Sequence, residues 1–231
     1  MKIEELINRL EKKATIFSTG GFKPTNSISE SWIGKIYLFG EEEEIPKDEN
    51  GELMYPVFQL CIDGLPFIPD TLKDTKVITV FISANLPMGI TPNGNNWLLR
   101  EYKKSDNLII KELHNPESPI KPFPLAPQFL EKDYPVWDSG DISREIADKI
   151  LELENSGEIS DYYDYTENDY RHKLGGYASF CQSGIDWGDG FEFVFQISSD
   201  EKAMLNIVDS GTIFLAKNKK TGEWKYYCDF Y

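Results

Sequence analysis

Residues 193–197 read Phe193-Val194-Phe195-Gln196-Ile197, and the tripeptide at their centre stands once before, as Val57-Phe58-Gln59, in a stretch equally rich in β-branched and aromatic residues. Each copy lies between a Gly-Gly-aromatic turn and a further apolar run. Gly20-Gly21-Phe22 and residues 78–82 flank the first, and Gly175-Gly176-Tyr177 and residues 212–216 flank the second. One shared tripeptide carries little weight. Three blocks in one order point to two related β-rich halves around a shared core. The expected fold class is therefore α+β, predominantly β, with two related sheet halves from an internal duplication and peripheral helices. The chain reads as a single domain, 1–231, with candidate halves at 15–138 and 139–231.

Working outward, residues 54–63, 77–84 and 97–102 concentrate the β-branched and aromatic residues that suit pleated, half-buried strands. Residues 32–39 read as another strand, followed by the acidic run Glu41-Glu42-Glu43-Glu44. Residues 190–231 alternate short strands with turns and close on an aromatic strand at 224–231. Ile3, Leu6, Ile7 and Leu10 recur at helical spacing and predict an amphipathic helix over 2–14, stopped by residues 18–21. Ile142, Ile146, Ile150 and Leu153 predict a second over 142–155, with Asp141 as N-cap and Gly157 beyond its end. Six prolines fall between residues 115 and 135. They predict that residues 119–124 form an extended, polyproline-like strap, packed through Ile120, Phe123 and Leu125.

Lys plus Arg total 24 against 39 Asp plus Glu, a net charge of -15. Such a field repels phosphate backbones and anionic lipid, which argues against nucleic-acid and membrane roles and is compatible with a basic protein partner. Cys61, Cys181 and Cys228 are odd in number, far apart, and form no Cys-x-x-Cys pair, so buried free thiols and a reducing cytoplasm are expected. Met1-Lys2-Ile3-Glu4-Glu5 is charged where a secretory signal would be apolar.

Catalytic signatures are absent. His114 and His172 lie in no nucleophile or metal motif, and Asp186-Trp187-Gly188-Asp189-Gly190 lacks the later glutamate of a calcium loop. No catalytic residue, metal or cofactor is assigned. The most unusual surface element is the tyrosine and acid segment, with Asp161, Tyr162, Tyr163, Asp164, Tyr165 and Asp169 as candidate binding residues for a cationic surface. Two alternatives stay open. One is a carboxylate-dependent hydrolase using Asp209 or Asp189 with Gln59 and Gln196; the other is a small-ligand module presenting Trp97 and Arg100, which strand alternation places on opposite faces.

His172-Lys173-Leu174-Gly175-Gly176-Tyr177-Ala178-Ser179-Phe180-Cys181-Gln182 resembles the K-[LIVF]-G-G-x-P-x-x-x-Q block of the YwqG-like family of bacterial proteins. Phe193 to Ile197 resembles the strand that follows, and Asp209-Ser210-Gly211-Thr212-Ile213-Phe214 a later strand entry. Gly20 to Pro24 and Met54 to Leu60 match the earlier family blocks loosely. Ala178 stands where the family has proline, and Val208-Asp209 replaces Gly-Asp. The resemblance implies a β-rich fold with a duplicated element, no established activity, and, for some members, toxin gene neighbourhoods. From these follows the expectation of a non-catalytic binding protein, with an immunity protein against a basic toxin as its specific form. The motif residues Gly175, Gly176, Gln182, Gln196, Asp209 and Gly211 are expected to be structural.

Overall fold

The computed structural model describes residues 2–25 and 27–231. Helix α1 (Ile3–Ile7) leads into β1 (Lys12–Thr19), followed by β2 (Trp32–Ile33), β3 (Leu38–Phe39), β4 (Tyr55–Cys61), β5 (Thr75–Ile82), β6 (Thr91–Pro92), β7 (Trp97–Lys103), β8 (Ile109–Ile110) and β9 (Phe123–Asp133). Helix α2 (Arg144–Ser156) precedes β10 (His172–Gly175), β11 (Phe191–Ser198), β12 (Thr212–Asn218) and β13 (Trp224–Asp229). The fold is predominantly β, as the strand-rich sequence predicts. Eleven strands form one curled sheet in the order β6-β13-β12-β11-β10-β1-β9-β2-β4-β5-β7, and β3 pairs with β8 apart from it.

That order mirrors itself about the β1–β9 pair. One direction runs β1, β10, β11, β12, β13, and the other β9, β2, β4, β5, β7. Register repeats as well. Phe58 and Gln59 face Val80 and Thr79, while Phe195 and Gln196 face Leu215 and Phe214; the ladder is broken just before each, at Val57 and at Val194. On the other flank Ile33 and Trp32 pair with Phe58 and Gln59, as Leu174 and Lys173 pair with Phe195 and Gln196.

The first glycine block of the sequence echo is corrected by this register. Gly20 follows β1 and donates its N–H to the Pro124 carbonyl at 2.8 Å. The position after β2 that corresponds to Gly175 after β10 is held by Gly34, with φ of +72° against +80°. A Cβ on Gly34 would lie 2.5 Å from the Lys121 carbonyl oxygen. The chain must turn there, so the strand expected over 32–39 is split into β2 and β3.

Two further expectations change. The apolar residues Ile3, Leu6, Ile7 and Leu10 are buried and pack with Ile146, Ile150, Tyr134 and Tyr162, but helix α1 ends at Ile7, not at residue 14. Residues 12–19 are instead taken by β1, paired on both sides to β9 and β10, so residues 18–21 end a strand. In the proline-rich region Ile120 is buried as expected, yet the polyproline-like strap gives way to β9 at Phe123. Pro127 is accommodated because β2 covers only Phe123 and Pro124, leaving β9 with a single paired neighbour further on. Helix α2 has Ser143 rather than Asp141 at its N-cap, and Gly157 closes it with φ of +76°.

The main core fills the inside of the curl with residues from both arms, and Phe58 meets Phe195 edge-on at 5.5 Å. The curl is clasped where β7 reaches β12 and β13. Glu101 accepts hydrogen bonds from Lys217 Nζ at 2.8 Å and Trp224 Nε1 at 3.0 Å, and Trp97 packs on Tyr226.

Candidate functional site

Buried polar side chains first fix the loops around β2 and β10. Gln196, wholly buried, accepts the Ser179 N–H at 3.1 Å and donates to the Arg171 carbonyl at 2.9 Å, tying the chain before β10 to the chain after it. Gln59 does the same around β2, accepting the Leu38 N–H at 2.9 Å and donating to the Glu30 carbonyl at 3.3 Å. Cys61 N–H donates to Ser31 Oγ, and in the matching place Ser198 N–H donates to His172 Nδ1 at 3.1 Å. His172 Nε2 therefore carries the proton and donates to Asp200 Oδ2 at 3.2 Å. Both ring nitrogens are used in fastening loops.

Lys173 and Asp133 form the deepest ion pair, both fully buried, at 2.8 Å. The Asp133 carboxylate also accepts the N–H groups of Tyr177 and Asp169, and Lys173 donates to Ser179 Oγ. Burial pushes the Asp133 carboxyl up and the Lys173 ammonium down, opposed in each case by attraction between the two. This carboxylate explains Gly176, whose φ is +65° and where a Cβ would sit 2.2 Å from Asp133 Oδ2.

The turn so fixed forms one wall of an acidic cleft of about 670 Å³, bounded also by residues 138–141 and 184–193. Gly184 packs so closely on the Ser139 carbonyl that a Cβ would come within 1.9 Å of its oxygen. Four carboxylates, Asp138, Asp141, Asp186 and Glu192, line the cleft with Lys12, and Lys225 reaches its edge by donating to the Trp187 carbonyl at 2.7 Å. Glu192 is paired with Lys219; the other three have no basic nitrogen within 4.0 Å among the described residues. Tyr177, Trp187 and Phe191 supply aromatic surface. Lys12 Nζ already lies 3.8 Å from the Tyr177 ring centre, and Lys225 Nζ lies 4.0 Å from that of Phe191. Those two ring faces are thus taken by the chain's own lysines, and it is by the excess of carboxylates that the cleft can receive a further cation.

The tyrosine and acid segment divides between structure and surface. Asp161 caps the turn at 162–164 by accepting the Tyr163 N–H, and Tyr162 is buried with its hydroxyl on the Pro135 carbonyl. Asp169 is gripped by Arg171. Asp164 and Tyr165 remain exposed. Tyr163 accepts the Trp137 N–H at 2.9 Å, so the segment abuts Asp138 at the cleft rim.

Gln182 donates its N–H to Asp229 and its side-chain amide to the Phe230 carbonyl, and Gly211 lies where a Cβ would be 2.0 Å from the Asp229 carbonyl oxygen. Asp209 is exposed in the turn beside it. The residues of the hydrolase alternative do not converge: Gln59 and Gln196 are committed to separate loops, and neither Asp189 nor Asp209 lines the acidic cleft. Trp97 is buried in the seam, while Arg100 donates to the Glu44 carbonyl at 3.0 Å, so the two present no common surface. Another recess, beside Tyr170 and Asp200, has its bases committed: Arg171 to Asp169, His172 to Asp200 and Lys202 to the Thr19 carbonyl.

Sequence reasoning missed the cleft because its acids lie far apart in the chain, Asp138 and Asp141 before α2, Asp186 before β11 and Glu192 within β11. The signal available is acid beside aromatic within Asp186-Trp187-Gly188, a stretch weighed above only as an incomplete calcium loop. Residues 33–220 match DUF1963, a domain of unknown function. The chain belongs to this family. In this DUF1963 protein the matched span opens in β2 and closes after β12, so it contains both Val-Phe-Gln strands and the whole cleft apart from Lys12. Comparison with curated proteins finds none that matches. Among the described residues no helix is long and apolar enough to cross a membrane.

Proposed function

We propose that this DUF1963 protein is a non-catalytic binding protein whose acidic cleft takes a lysine or arginine side chain of a basic protein partner. One observation carries the reading: Asp138, Asp141 and Asp186, none with a basic nitrogen within 4.0 Å among the described residues, line one cleft with Tyr177, Trp187 and Phe191. The net charge of -15 would steer such a partner toward the cleft and make its capture salt-sensitive. The YwqG-like resemblance narrows the partner to a basic bacterial toxin and the role to immunity, in a reducing cytoplasm. Burial pushes the Cys61 thiol up to about 12, in keeping with an unreactive thiol there. We likewise infer an internal duplication, from the mirrored strand order and the repeated register.

The test is association with the basic protein encoded beside this one, measured at low and high salt for the wild type and for Asp138→Lys/Asp186→Lys. Association that slows with salt and drops in the variant supports the reading. An association rate indifferent to both removes the cleft as the docking surface, and failure to bind or neutralise the neighbouring product removes the immunity role.

A further inference from the structure

A second recess, of about 700 Å³, occupies in the first arm of the sheet the place that the acidic cleft occupies in the second. Ile36 and Tyr37 line it after the Gly34 turn, as Tyr177 and Ala178 line the cleft after Gly175. Pro56, just before the break in the β4 ladder, stands where Phe193 stands before that in β11. The chemistry is opposite. Basic groups here are Lys35, Lys111 and His114, against the single acid Glu112.

Neither lysine has a carboxylate within 4.0 Å among the described residues, in a chain whose acids outnumber its bases 39 to 24. Lys35 Nζ rests over Trp32, 4.6 Å from the ring centre, and 5.4 Å from that of Tyr37. Lys111 Nζ donates to the carbonyls of Glu41 and Glu43. The rest of the wall is largely apolar, with Ile110 exposed at the rim and Ile120 buried at the floor. Trp32 Nε1 is a buried donor without an acceptor among the described residues. A half-enclosed apolar recess of this size with a few convergent polar groups is the usual form of a small-molecule site.

We propose that this recess binds a small molecule with an apolar body and one carboxylate. The carboxylate pairs with the Lys35 ammonium, and the apolar body lies against Ile36, Ile110 and Leu113. A cationic or purely polar ligand would leave either the charge or the apolar wall uncompensated. This binding is independent of the protein partner proposed above, because it uses the opposite arm of the sheet.

Calorimetric titration of the full chain with octanoate, 4-phenylbutyrate and indole-3-acetate tests it, with octan-1-ol as the neutral control. At least one carboxylate should bind with one-to-one stoichiometry, and octan-1-ol about tenfold or more weaker than octanoate if octanoate is the binder. Lys35→Glu should remove the binding, and Ile110→Asp should weaken it; thermal melting of each exposed-site variant checks that the fold is retained. Asp138→Lys/Asp186→Lys should leave it unchanged. Absence of binding by all three carboxylates overturns the proposal, as does binding that survives both Lys35→Glu and Ile110→Asp.

Discussion

Asp133 is closed off from water while accepting hydrogen bonds from Lys173, Tyr177 and Asp169, so three pieces of chain meet on one carboxylate. Removing one member of a buried pair leaves the other charge uncompensated, which costs roughly 3–5 kcal/mol. Lys173→Met should lower stability by that order in urea denaturation, and a loss under about 1 kcal/mol would contradict the account. Adding Asp133→Leu should not restore the wild-type value, because two backbone N–H groups then lose their acceptor. Gly176→Ala should also destabilise, through its positive φ and its collision with Asp133, and a neutral effect in the same assay would refute that reading. The glycine pair was legible in the sequence as a turn. Its cause was not, since Asp133 lies at the end of a strand 43 residues before Gly176, a distance that no local pattern spans.

Among the elements, the seam between β7 and β12–β13 has a pH dependence of known sign. Burial raises the Glu101 carboxyl, but hydrogen bonds from Lys103, Lys217, Thr75 and Trp224 outweigh it and bring it down to about 2, from an ordinary 4.5. A carboxyl depressed on folding contributes stability that is complete above its unfolded pKa and lost as pH falls through the folded value. The clasp should therefore act fully above about pH 4.5 and fade toward pH 2. Glu101→Gln should be less stable than wild type at pH 7, with the gap in urea midpoint closing across that window. A gap that stays constant from pH 7 to pH 2.5 would contradict the assignment. Strands with dense apolar content, such as β5 and β11, were readable from local composition. By contrast β1 and β9 were misread, because Leu10 extended a helical period into chain that pairing claims, and because prolines that normally end a strand sit where β9 has an open flank.

At the scale of the molecule, a recess stands in each of the two mirrored arms of the sheet, and the charges lining the two are opposite. Composition disclosed the acidity but could not locate it. The segment at 161–169 reads as a docking surface in the sequence, yet Asp161, Tyr162 and Asp169 are spent on a cap, the core and an ion pair, and the acids with no basic nitrogen within 4.0 Å among the described residues lie next door at Asp138, Asp141 and Asp186. On the reading proposed above, this cleft recognises a cation. That reading is tested most directly by titrating a capped tetra-arginine peptide into isotopically labelled protein and following amide and indole NMR signals. The account predicts salt-sensitive shifts concentrated at Tyr177, Trp187 and Phe191, absent at Trp32 and Tyr37, and abolished by Asp138→Lys/Asp186→Lys. Shifts spread evenly over the acidic surface, or unchanged in that variant, would contradict it.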